Sequence, residues 1–177
     1  ATVSEATLAG AALADADLSG ATLADADLTA AAIAEADLAR ADLTDATLAD
    51  ATVRETTLEH ATLRGVEATG ITVTDATATG VEATGADLSE STVADTSLAA
   101  ATCDRVDLSR SRLTRVDCGE ASFVDATLAD ATLVDGSLAA ARLSAVDAEG
   151  VTLRAVDAAE LDATDATLTG VTATRTT

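Results

Sequence analysis

Apolar residues recur along this chain with a period of five and without a slip. The central position of each pentad carries an aliphatic residue, a cysteine or the single phenylalanine, as at Leu8 and Leu13. The residue two positions earlier is usually small, as at Ala6 and Ala11, and the residue between them is polar or alanine. This inward, outward, inward alternation over three residues is typical of a short extended strand. Two small or polar residues follow, which predicts a corner after each strand.

A period of five matches neither the 3.6 of a helix nor the continuous 2.0 of a long strand, and it is typical of a solenoid. The motif A(D/T)LxX, as in "ADLSG" and "ATLAD", covers the chain and resembles the pentapeptide repeat family. The resemblance implies an all-β fold, a right-handed quadrilateral parallel β-helix with four pentads in each of about nine coils. Residues 1–177 are predicted to form one continuous β-helix with no interrupting loops and no obvious caps.

The central residues and the small residues two positions before them are predicted to share one interior. Val66 precedes Ala68 by two positions, so volume lost at one inward position is recovered at the other, as a close-packed core requires. Ala76 before Ala78 is the exception. The predicted core includes Leu18, Leu28, Leu38, Leu108, Leu113 and Phe123.

The charge is strongly negative, because 31 acidic residues face 10 basic ones, all arginine, for a net charge of -21. This argues against nucleic-acid binding through phosphate contacts and favours a protein partner with a basic cleft, or none. No apolar stretch is long enough to span a bilayer, so the chain is predicted to be soluble, without membrane contact. The sequence begins inside the repeat without methionine, which predicts a processed chain or a segment of a longer one. A cytoplasmic location is favoured over a secreted one.

A coil of twenty residues places every twentieth residue in one column. Like charges stacked about 5 Å apart repel one another. Two corner columns are the candidate interaction surfaces: Asp15, Glu35, Glu55, Asp75 and Asp95 in one, and Asp25 and Asp45 in the other. With the acids at the middle of the sides, the negative charge is expected to encircle the rod. One coil holds a candidate basic belt that consists of Arg105, Arg110, Arg112 and Arg115. These arginines either form ion pairs with acids stacked in neighbouring coils or form a functional basic surface.

Residues suited to catalysis or metal binding are sparse. His60, the single histidine, stands at a corner with no second ligand at metal-site spacing. Cys103 and Cys118 occupy inward positions and are predicted to be small buried hydrophobes, with a disulfide as the alternative. The sequence therefore predicts no cofactor, no metal and no enzyme activity.

The function predicted from these features is a rigid acidic scaffold or protein-interaction module of unknown partner. The resemblance implies an alternative, because the quinolone-resistance members of the family imitate duplex DNA and bind DNA gyrase or topoisomerase IV, the type II topoisomerases. Adaptation to high salt explains the acidity equally well. A column that contains Thr52, Thr72 and Thr92 makes an ice-binding surface a minor alternative. Unpaired strand edges at the rod ends predict either an end-to-end homodimer or flanking segments of a longer chain.

Overall fold

The computed structural model describes residues 2–177, which form a parallel β-solenoid. Its regular strands pair in chain order within one nine-stranded sheet. Ala12 pairs with Ala32, and the same twenty-residue register continues to the last strand pair. This arrangement confirms the predicted all-β fold with four pentads in each coil. The strands are β1 (Ala12–Ala14), β2 (Ala32–Ala34), β3 (Thr52–Arg54), β4 (Thr72–Thr74), β5 (Thr92–Ala94), β6 (Arg112–Thr114), β7 (Thr132–Val134), β8 (Thr152–Arg154) and β9 (Thr172–Thr174).

Three further ladders of isolated parallel bridges complete the four sides of the rod. They begin with the pairs Thr2 and Thr22, Thr7 and Asp27, and Asp17 and Asp37, and each continues in steps of twenty residues. With strands stacked at about 4.8 Å, the eight steps from β1 to β9 span about 38 Å. Within residues 2–177, no helix has the length and apolarity needed to cross a membrane.

The four corners of a coil are not equivalent. At three of them the inward small residue donates its backbone N–H to the carbonyl of the preceding central residue, as from Ala11 to Leu8 at 2.9 Å and from Ala21 to Leu18 at 2.9 Å. At the fourth corner, which follows the strands β1 to β9, the structure of residues 2–177 contains no such turn bond. The side before that corner instead forms a full three-residue strand, whose last residue pairs with the next coil.

The interior is built from the two inward positions of each pentad. Leu28, Leu38, Leu108, Leu113 and Phe123 are buried, and Leu18 is partly buried against the same core. The terminal coils are covered by a neighbouring coil on one side only. For this reason the central residue Leu168 is 56% exposed.

An apolar cavity of ≈ 90 Å³ lies inside the rod. Three central alanines, Ala68, Ala78 and Ala83, line it together with Val66 and Val81. The two valines recover part of the volume that the alanines lack. Ala78 has no larger inward partner two positions earlier, so packing is incomplete where these coils meet.

Candidate functional site

Every corner of the rod is made by one residue with a left-handed backbone. Each fifth residue from Glu5 to Arg175 has a positive φ, between 51° and 72°. This conformation costs most residues about 1–2 kcal/mol, whereas glycine adopts it freely and aspartate tolerates it better than most. The corner places its side chain outside the core, so the corners carry the residues that a partner meets first.

The longest run of acidic corners follows the strands β1 to β5. Its five members are exposed and occupy successive coils, and we call them the acidic edge: Asp15, Glu35, Glu55, Asp75 and Asp95. Asp25 and Asp45 are exposed in the column on the diagonally opposite corner. The carboxylate of Asp45 lies against the position that a Cβ would take on Gly65, one coil further on. The corner side chain of Asp45 therefore leans along the rod axis toward the next coil.

Aspartates at the middle of the sides have a different role, which the sequence interpretation missed. Each accepts a hydrogen bond at Oδ1 from the backbone N–H two residues later, for example from Thr44 to Asp42 at 3.1 Å. The Thr44 hydroxyl adds a second bond of 2.6 Å, and these bonds lower the pKa of Asp42. The complete set is Asp17, Asp27, Asp37, Asp42, Asp87, Asp107, Asp117, Asp147, Asp157 and Asp162.

These mid-side aspartates stabilise the turns, because they satisfy a backbone donor at the start of each corner. A sequence signal for this role exists. Aspartate greatly outnumbers glutamate at the middle of the sides, where only Glu67 and Glu82 occur, whereas corners carry both acids freely. The longer glutamate side chain does not make this local bond, since neither residue accepts it in the described structure.

The basic belt divides into two paired and two unpaired arginines. Arg110 donates from Nη2 to Glu90 Oε1 at 2.8 Å, one coil earlier. Arg115 makes a two-pronged contact with Asp95, at 2.5 Å from both Nε and Nη2. This pair raises the pKa of Arg115 and lowers the pKa of Asp95, in each case mainly through the hydrogen bond.

Arg115 therefore neutralises the last carboxylate of the acidic edge. Arg54 lies 3.7 Å from Glu55 as a looser partner on the same edge. Arg105 and Arg112 form no salt bridge with any residue that the structure describes. The belt thus consists of two stacked ion pairs and two exposed guanidinium groups.

One side of the rod carries no acid, which corrects the expectation that negative charge encircles it. The strands β1 to β9 contain only alanine, threonine, aliphatic residues and three arginines, Arg54, Arg112 and Arg154. The physical reason lies in the fourth corner. The residue whose N–H a mid-side aspartate would accept is there part of the strand ladder, so an aspartate would add repulsion without capping a turn. Arg112 also interrupts the threonine column on this acid-free side.

The remaining candidates are two cysteines and one histidine. Cys103 and Cys118 are free and buried, and burial raises the pKa of Cys103 to about 12 and raises that of Cys118 further. The His60 ring lies beside Gly80 of the next coil, with Nδ1 2.6 Å from the position of a Cβ there. No metal-binding group of histidine, cysteine, aspartate or glutamate occurs among residues 2–177.

Comparison with known proteins agrees with this architecture. The chain is similar over 94% of its length to HetL, a protein involved in heterocyst differentiation regulation from the cyanobacterium Nostoc sp. Strain PCC 7120, with 86% of HetL covered, 24% identity and a TM-score of 0.50. It is also similar to a trypsin-treated variant of QnrB1, a plasmid-mediated fluoroquinolone resistance protein, with 91% of this chain and 88% of QnrB1 covered, 20% identity and a TM-score of 0.56. These likenesses support the fold alone.

No curated protein sequence matches the chain. The family model described as pentapeptide repeats matches residues 3–38, 23–59 and 94–130, which together span more than half of the chain. The predicted resemblance is thereby confirmed, and the chain belongs to the pentapeptide repeat family.

Proposed function

We propose that this rod is a non-enzymatic interaction module that presents its acidic edge to a basic surface of a protein partner. The supporting observation is the difference between the two sets of acids. Mid-side aspartates are engaged with the backbone, whereas Asp15, Glu35 and Asp75 accept no hydrogen bond in the described structure and stand exposed in one column. Unengaged carboxylates stacked about 4.8 Å apart attract an array of cations.

A test of this role compares two variants of equal net charge. In the first, Glu35→Gln, Glu55→Gln and Asp75→Asn neutralise the acidic edge. In the second, Glu120→Gln, Asp125→Asn and Glu160→Gln remove three corner charges elsewhere. A fluorescent deca-arginine peptide is titrated into each at several salt concentrations. The edge variant should bind more weakly and lose salt dependence, and equal weakening of both variants would mean that only net charge matters.

DNA mimicry is the second candidate function, and one observation favours it. A net charge of -21 along a rod about 40 Å long gives about one negative charge per 2 Å, close to the value of about 1.7 Å for duplex DNA. A rigid rod with this charge density suits the DNA-binding cleft of a type II topoisomerase. The quinolone-resistance members of the family imitate duplex DNA, and this proposal assigns the same property to the present chain.

A supercoiling assay with DNA gyrase tests mimicry directly. The wild-type chain should inhibit or protect the enzyme at micromolar concentration, and the edge variant described above should lose that effect. If the wild-type chain leaves supercoiling unchanged at that concentration, mimicry of the gyrase substrate is refuted, while binding to another basic protein stays testable with the peptide.

End-to-end pairing of two rods also stays a prediction. Leu168 is 56% exposed in a coil whose other inward residues are also partly uncovered. Sedimentation velocity over a range of concentrations should show a dimer that Leu168→Asp dissociates, and a wild-type monomer throughout the range would contradict it.

A further inference from the structure

A groove of ≈ 490 Å³ opens on the side of the rod that carries Thr62 and Arg64. Gly65 lines it, and Gly85 follows Gly65 in the same corner column. A Cβ added to Gly85 would meet no atom within 4 Å, so the corner between Gly65 and Arg105 is open. Asp45 precedes the two glycines in the column, and Arg105 follows them.

The two ends of the groove carry opposite charges. At one end lie Asp45 and Asp42, and Oδ1 of Asp42 is engaged by Thr44 whereas its Oδ2 accepts no hydrogen bond from residues 2–177. At the other end lies Arg105, which forms no salt bridge in the described structure. The two corners are three coils apart, or about 14 Å.

Between the two ends the charges are largely balanced. Arg64 Nη1 lies 3.7 Å from Glu82 Oε1, which offsets one charge with the other. The threonines Thr62 and Thr84 line the same stretch and expose hydroxyl groups that both donate and accept hydrogen bonds. The groove therefore presents an acidic end, a polar neutral middle and a basic end, unlike the acidic edge.

We propose that this groove binds an extended peptide segment that carries a basic and an acidic side chain two residues apart. In a strand, residues two apart point to the same side about 7 Å from each other, and long side chains that splay outward extend the separation of their charges toward 14 Å. The basic group faces Asp42 and Asp45, the acidic group faces Arg105, and the threonine hydroxyls pair with the peptide backbone. The site shares no residue with the acidic edge and stands even if that edge binds nothing.

The experiment titrates three peptides into the isotope-labelled chain and follows backbone amide signals by NMR. The peptide Ac-Gly-Arg-Ser-Glu-Gly-NH2 should shift the signals of residues 62–65, 82–85 and 105. Its counterpart with two arginines should cause smaller shifts there, because Arg105 repels the second cation, and its counterpart with two glutamates should cause none. Equal groove shifts with the two-arginine peptide, or dispersed shifts with the mixed peptide, would overturn the proposal.

Two pairs of variants locate the site. Gly85→Asn places a side chain in this open corner and should weaken binding of the mixed peptide about tenfold, whereas Ala145→Asn, in the same corner column three coils away, should leave it unchanged. Arg105→Gln should weaken binding similarly, and Arg112→Gln, at an exposed position of the same coil on the side of the rod opposite the groove, should not. Thermal unfolding of each variant verifies that the rod is folded, and equal losses within either pair would refute the assignment.

Discussion

Filling the internal cavity is expected to stabilise the rod. Ala78→Leu adds three carbon atoms at a central position that lines the ≈ 90 Å³ cavity. At about 24 cal/mol per Å³, that volume corresponds to about 2 kcal/mol of lost packing. The cavity extends over several coils, so one leucine fills part of it, and fixing the new side chain costs about 0.5–1 kcal/mol. The expected gain in the free energy of unfolding is therefore about 1 kcal/mol.

A matched control is the same substitution at Ala148. This alanine is also central and buried, but it does not line the cavity and Val146 already occupies the adjacent volume. Ala148→Leu should overpack the interior and destabilise the rod by about 1–3 kcal/mol. Calorimetry should thus show the melting temperature of Ala78→Leu raised by about 2–4 °C and that of Ala148→Leu lowered. If both variants melt below the wild type, the reasoning about local volume is wrong.

Three further outcomes are expected. Asp42→Ala should lower the free energy of unfolding by up to about 1 kcal/mol. Because the pKa of Asp42 is lowered in the folded state, this loss should be constant above the unfolded pKa near 4 and should disappear as pH falls through the folded pKa. Urea unfolding at several pH values measures this dependence. Cys103 and Cys118 should remain unreactive toward Ellman's reagent in the folded rod and react together on unfolding, since both are buried with raised pKa values; rapid reaction of either in native buffer would contradict this. Ala140→Gly should stabilise the corner by a few tenths to about 1 kcal/mol, because φ there is 55°, while Ala141→Gly at the adjacent buried position should destabilise the rod.

The composition of the interior followed from the pentad alone, because a central leucine and a small residue two positions before it repeat without a slip, whereas the coil of four pentads followed from the family resemblance. That pattern predicts which side chains face inward, and Leu28, Leu38 and Phe123 are buried as expected. The exception to the volume pattern, at Ala76 and Ala78, lies where the structure has its apolar cavity. Each of these inferences depends on residue volume within one pentad, which the sequence displays directly.

The distribution of charge around the rod was harder to predict from the sequence, because it depends on which corner of the coil a pentad precedes. A five-residue pattern treats all four corners alike, yet the corner after β1 to β9 lacks the turn bond that the other three make. Aspartates cap turns at the other sides and are excluded from this one. The roles of Asp42 and its counterparts therefore became clear only when backbone donors could be assigned to individual carboxylates.

The unequal corners restrict how such a chain can grow or shrink by insertion and deletion. Adding one pentad would keep the inward leucines inward, yet every downstream residue would move to the next side of the rod. Aspartates that accept a hydrogen bond at a turn would then enter the side formed by β1 to β9, whose corner has no turn bond. Adding twenty residues returns each downstream residue to its original side. Length changes in whole turns should therefore be tolerated far better than changes of five, ten or fifteen residues, even though all four preserve the repeat.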